Sequence, residues 1–562
     1  MNRDDGAGPQ DRAPTAALPA LTAQLGQNKH LPAGSGTVPA HAVLTVEGHG
    51  LGGLTTHASS AEVVVIDCSG SMSWPSTKIS AARKAAAAAI GVLRDGTRFA
   101  LVEGTDKARV VYPAAGRMAV AGPDTRADAA RTAHGLVAAG GTAIASWLAC
   151  ARDLLTAPEQ DHPIRHALLL TDGRNEHDRP DELERVLADC AGKFTCDARG
   201  IGDQWAAAEL RAIAARLHGK ADAVERDSEL EEEFRTMMTS AMTKALPGIR
   251  IRVRLRVGSE LRFFKQVFPT ELDLTAEAVR TGERSWDFPT GAWGDESRDY
   301  HLCVTADPAG DPMGEDMQLA SLSLVADAVG DHPAEAVVAV PRPVPLLVHW
   351  TDDAALSTRV HPRVAHFAGH ADLGRAVNAG CEAYERGGRA TAEEEWGRAV
   401  RLADDLGDEK MLRRLRRLVH VDDAREGRVR LREVIAAGDL HAAWVGSDHS
   451  TQAQASWAAP PGPPAPPPPV HGQRRAPGAA QVAAPPARAS GTSGGAGASA
   501  RPDVQCPRCG RVSPGTAQVC SQCRYGLAGG PAPTERHRRA EHERPEHERD
   551  ERPEHEPPEP AA

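Results

Sequence analysis

From Ala61 to about Ala245, short unbroken apolar runs alternate with stretches of helical periodicity. Glu62–Asp67 (EVVVID) and His166–Leu170 (HALLL) read as strands buried on both faces, because a strand with one wet face would alternate apolar and polar residues. Helices are predicted at Lys78–Leu93, Ile144–Leu155, Asp181–Ala191, Ala206–His218 and Glu229–Ala245. Further strands are predicted at Arg98–Glu103, Arg109–Tyr112, Phe194–Ile201 and Ala223–Glu225. Such alternation requires βαβ crossovers, so residues 61–246 are expected to form a Rossmann-like α/β domain, a mainly parallel sheet with helices on both faces.

After residue 247 the period becomes two. Ile249, Ile251, Val253, Leu255 and Val257 alternate with Arg250, Arg252, Arg254 and Arg256, and later strand-like pieces follow to 350. Residues 247–350 are therefore expected to form a β-sandwich, with the arginines on a solvated sheet face. The lead at 25–60 holds one strand, His41–Glu47, available to complete that sandwich, which would make the α/β domain an insertion in it. Residues 360–447 return to helical spacing (Ala383, Trp396, Ala399, Leu402, Ala403; then Leu412, Leu415, Leu418, Val419) and predict a small helical bundle. Trp396 is read as core there, and Arg413, Arg414, Arg416 and Arg417 as the wet side of a helix. Residues 1–24 are expected to be disordered, 448–501 to be a Pro/Ala/Gly linker, and 529–562 a disordered Arg/Glu/His tail that repeats RPEHE.

Composition narrows the function classes. A net charge of −11 argues against a general nucleic-acid binder. No apolar stretch approaches the roughly 18 residues of a membrane span, and the start lacks a signal peptide's apolar core. Four of the ten cysteines fall in two C-x-x-C pairs and the rest are scattered, which suits a reducing, cytoplasmic setting. Arg exceeding Lys, with abundant Ala, points to a GC-rich bacterial genome. Walker, H-E-x-x-H, G-x-S-x-G and protein-kinase signatures are all missing, so the chain is read as a binding protein and not an enzyme.

The candidate chemistry sits at predicted strand ends. Asp67-Cys68-Ser69-Gly70-Ser71 follows the first buried strand, Gly140-Gly141-Thr142 precedes a helix, and Thr171-Asp172-Gly173 closes a second strand. Loops at the carboxyl edge of an open α/β sheet are where such folds place ligands, and short oxygen side chains are what a hard cation needs. These residues resemble the von Willebrand factor type A (VWA) domain and its metal-ion-dependent adhesion site, over about 61–245 and through DCSGSM, GGTAIASWL and LLLTDGRN. The resemblance implies a divalent metal, Mg²⁺ or else Mn²⁺ or Ca²⁺. Ser69 and Ser71 would ligate it directly, Thr142 directly or through water, and Asp67 and Asp172 would act largely through water or through hydrogen bonds that support the ligands. It also implies a partner protein whose Asp or Glu completes the coordination, and a last helix, here near Glu229–Ala245, that moves with ligation.

A second metal is expected near the end of the sequence. Cys506, Cys509, Cys520 and Cys523 have the spacing of two zinc knuckles, and residues 502–528 resemble a short zinc ribbon holding structural Zn²⁺. The expected whole is a cytoplasmic scaffold or regulatory adaptor that captures an acidic residue of a partner under metal control. The alternative is a non-catalytic VWA subunit of an AAA+ ATPase system of the MoxR or chelatase kind.

Overall fold

The computed structural model describes residues 19–453 apart from 35, 56–58, 115, 159–161 and 180, together with 504–505 and 512–513. Three strands open it: β1 (Ala20–Gln27), β2 (His30–Pro32) and β3 (Val38–His49). The alternating region follows as β4 (Ser60–Asp67), α1 (Thr77–Gly91), β5 (Arg98–Gly104), β6 (Ala108–Tyr112), β7 (Ala119–Val120), α2 (Pro123–His134), α3 (Ile144–Leu155) and β8 (Ile164–Thr171). It continues through α4 (Glu182–Cys190), β9 (Thr195–Ile201), α5 (Ala207–Arg216), β10 (Ala221–Val224) and α6 (Leu230–Met242).

These strands form one seven-stranded sheet in the order β10-β9-β8-β4-β5-β6, with β7 also beside β5. The strands from β10 to β5 are parallel, and β6 and β7 run antiparallel to β5. Strand β4 shows why its sequence is an unbroken apolar run. Val63 and Val65 enter one buried cluster with Trp147 and Leu148 of α3, while Val64 and Ile66 enter another with Ala82 and Ala86 of α1 and Phe234 of α6. Both faces are covered, so the four positions between Glu62, whose buried carboxylate meets His166 Nδ1 at 2.7 Å, and Asp67 at the sheet edge are all apolar.

The next region contributes β11 (Ile249–Leu255), β12 (Ser259–Phe268), β13 (Leu272–Asp273), β14 (Val279–Gly282), β15 (Ser285–Pro289), β16 (Ser297–Ala306), β17 (Asp316–Ala326), a short α7 (Ala334–Val337) and β18 (Val344–Thr351). Two sheets result, β1-β3-β16-β12-β13 and β14-β15-β11-β17-β18-β2, antiparallel throughout except where β2 runs parallel to β18. They share one apolar cluster that includes Leu44 and Val46 of β3, Ile251 and Val253 of β11, and Trp350 of β18. The strand expected at 41–47 runs from Val38 to His49 and pairs with β16, so the α/β region lies between segments of these two sheets. Disorder over 1–24 is corrected at its end, because Ala20–Gln27 pairs with β3 and buries Leu21. The arginine row is only partly a solvated face. Arg250 and Arg252 both reach Asp287, whose side chain is 1% exposed, and Arg256 pairs with Asp311.

The remaining helices are α8 (Ala354–Ser357), α9 (Pro362–Glu385), α10 (Arg389–Leu406), α11 (Glu409–Leu418) and α12 (Ala437–Gly446). Trp396 is fully buried among α9 and α11 residues. Two features depart from a plain helical bundle. Val419 does not extend α11 but begins β19 (Val419–Asp423), which pairs with β20 (Arg428–Leu431), two short segments whose valines and leucine suit a hairpin. Arg414 is not on the wet side: it is 2% exposed and bound to Asp222 of β10. Residues 448–453 likewise leave the expected linker. Asp448 pairs with Arg211 of α5, Thr451 bonds His370 of α9, and Ala453 is buried.

Among the described residues no helix is long and apolar enough to cross a membrane. A separate unit, 465–562, is described only at β21 (Val504–Gln505) and β22 (Val512–Ser513), which pair antiparallel. Cys506, Cys509, Cys520 and Cys523, most of the linker and the tail lie outside the described residues.

Candidate functional site

The parallel order of the sheet brings the ends of β4 and β8 side by side, and the loop before α3 meets them there. The contact is made by backbone first. Ala139 N–H donates to the Cys68 carbonyl at 2.7 Å, and Gly70 N–H donates to the Gly140 carbonyl at 2.9 Å. Gly140 holds a left-handed conformation (φ 87°) that favours glycine at this turn.

The five expected residues converge. The Ser69 and Ser71 hydroxyls lie 2.8 Å apart, and the Ser71 hydroxyl donates to Asp172 Oδ1 at 2.6 Å. Thr142 Oγ1 joins them against the Cα of Gly173, where an added Cβ would fall 3.0 Å from Thr142 Oγ1 and 3.7 Å from Ser71 Oγ. Asp67 stands behind the hydroxyls and braces both loops. Its Oδ1 accepts from Ser69 N–H at 2.8 Å, and its Oδ2 accepts from the Thr171 hydroxyl at 2.7 Å and from Asp172 N–H at 3.3 Å. Burial pushes the Asp67 carboxyl up to about 6, against the hydrogen bonds from Ser69 and Thr171. Cys68 is fully buried in the α1 side of the core, and burial raises its thiol well above the ordinary range, so it is not a poised nucleophile.

Four side chains to which motif reading gave no role complete the arrangement. Lys78 of α1 donates to Asp172 Oδ2 at 2.7 Å, with side-chain exposures of 8% and 0% for the pair. Gly202 leaves it room, since a Cβ there would meet Lys78 Cε at 2.8 Å. The segment after Asp172 then folds back onto the amino end of α3. Asn175 Oδ1 accepts from Ile144 N–H at 3.0 Å, Asp178 Oδ2 from Ala145 N–H at 2.6 Å, and His177 Nδ1 from Thr142 N–H at 3.2 Å. These side chains satisfy the free amides of the helix start and so fix Thr142. A cue was present in the sequence, since Asn and Asp are common helix-capping residues, but the helix they cap is more than thirty positions upstream.

The donor set fits a hard, oxygen-seeking cation: hydroxyls in front, carboxylates behind, and no soft ligand. Among the described residues no group of three or more His, Cys, Asp or Glu side chains could hold a metal. Two apolar side chains on the loops that carry these residues are exposed. Trp74, three residues beyond Ser71, is 83% exposed, and Val137, on the loop leading to Gly140, is 63% exposed.

Comparisons with known proteins bear on the fold. The von Willebrand factor type A domain family matches residues 61–223. The solved structure of a von Willebrand factor type A protein from Catenulispora acidiphila is 37% identical, with a TM-score of 0.70, covering 79% of this chain and 99% of that one. The uncharacterized protein sll0103 of Synechocystis sp. is 30% identical over 238 residues, so the chain spans about half of that relative's length (54%) and matches it over 40% of its own. The chain therefore belongs to the von Willebrand factor type A domain family.

Proposed function

We propose that the chain is a metal-dependent docking protein whose VWA site captures an Asp or Glu side chain of a partner. The observation that carries this reading is the meeting of Ser69, Ser71 and Thr142 hydroxyls in front of Asp67 and Asp172 at one sheet edge. A bound Mg²⁺, or Mn²⁺ or Ca²⁺ in its place, supplies a coordination position that a carboxylate can fill. Ser69 and Ser71 would hold it through neutral oxygens, which leaves the cation's charge to attract the partner. Asp67 keeps the two loops in register, and Lys78 offsets the charge of Asp172. In this reading the set binds and orients a partner's carboxylate. In the second unit, Cys506, Cys509, Cys520 and Cys523 would close a structural Zn²⁺ site, which predicts one zinc per chain, lost in Cys506→Ser.

The decisive experiment is a pull-down from source-cell lysate with Mg²⁺ or with chelator, comparing wild type and Asp67→Ala. Proteins retained only by wild type and only with Mg²⁺ are expected. An identical retained set under all four conditions would remove the reading. Trp74 supplies a second prediction. An exposed tryptophan beside a polar centre suits a binding hot spot, and Trp74→Ala should weaken capture of the identified partner on the order of tenfold. Because the side chain is exposed, the melting temperature should stay unchanged. Equal affinity of the variant, by titration calorimetry, would assign the tryptophan no part in docking.

A further inference from the structure

A cavity of about 340 Å³ lies away from the VWA site, between the edge of the α/β sheet, the turn after β12, and helices α11 and α12. Its wall carries Arg199, Lys220, Lys410, Arg414 and His449, set against the carboxylates of Asp222 and Asp408. Asp408 is already used, because its Oδ1 accepts from Met411 N–H at 2.9 Å as the cap of α11. Asp222 is shared between Lys410 at 2.7 Å and Arg414, and its Oδ1 also accepts from Ala223 N–H at 2.9 Å. Arg199 Nη1 is committed to the Ala198 and Lys220 carbonyls at 2.9 and 3.2 Å, while Glu233 and Glu225 lie 3.6 Å from Arg199 Nε and 3.7 Å from Arg414 Nε. The two glutamate distances are too long for hydrogen bonds. Both Nε atoms are buried without a hydrogen-bond partner among the described residues, in arginines 9% and 2% exposed.

A buried guanidinium with an unmade hydrogen bond is costly. It is also placed by design of the backbone: a Cβ on Gly446 would lie 2.0 Å from Arg414 Nη1, so the guanidinium lies directly against that glycine. Apolar packing does not explain such a wall. We propose that this cavity is a binding site for a phosphate-class oxyanion, either free phosphate or pyrophosphate or the phosphoryl end of a small molecule. The volume is at the lower end of the range for small-molecule sites. Arginine and lysine together are the usual recognition set for phosphate oxygens. Apart from the imidazole of His449 the lining holds no aromatic ring, so a nucleoside base gains no stacking platform. Since the wall draws on β9 and β10, on Thr270 after β12 and on α11, a bound anion would also clamp these three parts together.

The test uses the full chain in a phosphate-free buffer, with calorimetric titration of phosphate, pyrophosphate and ADP at constant ionic strength. Saturable binding of pyrophosphate at one per chain is expected. ADP should bind no tighter than pyrophosphate if the phosphoryl group alone is recognised; tighter ADP binding would overturn the assignment to the phosphoryl group. Lys220→Ala/Lys410→Ala removes two exposed charges and should weaken pyrophosphate binding on the order of tenfold or more. Lys220→Ala alone, which breaks no ion pair to Asp222, should show a smaller loss in the same direction. Absence of saturable binding in wild type, or wild-type affinity in both variants, would overturn the proposal.

Discussion

Lys78→Met is expected to bind Mg²⁺ at least about tenfold more tightly than wild type, while its metal-free form loses about 3 kcal/mol of stability. The two effects have one origin. In wild type the Lys78 ammonium occupies Asp172 Oδ2 at 2.7 Å, inside a site where neither side chain meets much water. A divalent cation held by Ser69 and Ser71 would share Asp172 with that ammonium, since Asp172 Oδ1 is the oxygen that Ser71 reaches at 2.6 Å. Even at an effective dielectric near 20, like charges a few ångströms apart repel by several kcal/mol, so a tenfold gain (about 1.4 kcal/mol) is a floor. Without metal, removing the lysine strands a buried carboxylate, which is the costly way to break an ion pair. Mg²⁺ should therefore raise the variant's melting temperature more than the wild type's. Gly202→Ala crowds the Lys78 side chain and should shift both quantities in the same directions by less. Titration of MgCl₂ into chelator-treated protein checks the affinity. Unchanged or weaker binding by Lys78→Met would mean that the lysine holds Asp172 in place for the metal instead of competing with it.

How far this site was legible follows from what a linear pattern can carry. Asp67, Ser69, Ser71, Thr142 and Asp172 each sit next to a strand or helix whose own periodicity is clear, so loop position and residue type together pointed to one edge. Lys78 was not legible. It lies on the first turn of α1, where an exposed lysine is ordinary, and only the close approach of the β8 end turns it inward. The same distinction runs through the fold. EVVVID gave away a strand covered on both faces because its residues divide between two clusters. β1 was missed because ALTAQLGQ carries only Leu21, Ala23 and Leu25 as an apolar face, and this face becomes visible only when β3 lies beside it. In α11 the stripe Met411, Leu412, Leu415 and Leu418 marks the buried face correctly, yet Arg414 on its margin is buried by another part of the molecule. Periodicity describes what a helix offers; it does not describe what packs over the edge of that face.

Arg414→Met should cost about 3 kcal/mol or more and loosen α11 from the edge of the α/β sheet. The arginine is long enough to cross from the helix to β10, where it meets Asp222, and Arg417 on the next turn reaches Glu225 at 2.9 Å. Methionine keeps much of the volume but leaves Asp222 with the Ala223 N–H, the half-exposed Lys410 and a histidine whose Nδ1 is 3.7 Å away. The cost should depend on pH with a definite sign. Burial alone would raise the Asp222 pKa, but Arg414, His449 and Lys410 outweigh it and hold the carboxyl far below the ordinary range. Its contribution is therefore fully present above the unfolded value of about 3.9 and is lost as pH falls toward the native value. The stability gap between wild type and Arg414→Met should be widest from about pH 5 upward and narrow on acidification below about pH 4. Arg414→Met with Asp222→Leu should be less damaging than the sum of the two single changes, because the double variant no longer buries a lone charge. Denaturant unfolding across pH, with hydrogen exchange followed in β10 and α11, measures both effects. A gap that stays constant down to about pH 3, or single-variant losses that simply add, would show that Arg414 stabilises by packing and not through Asp222.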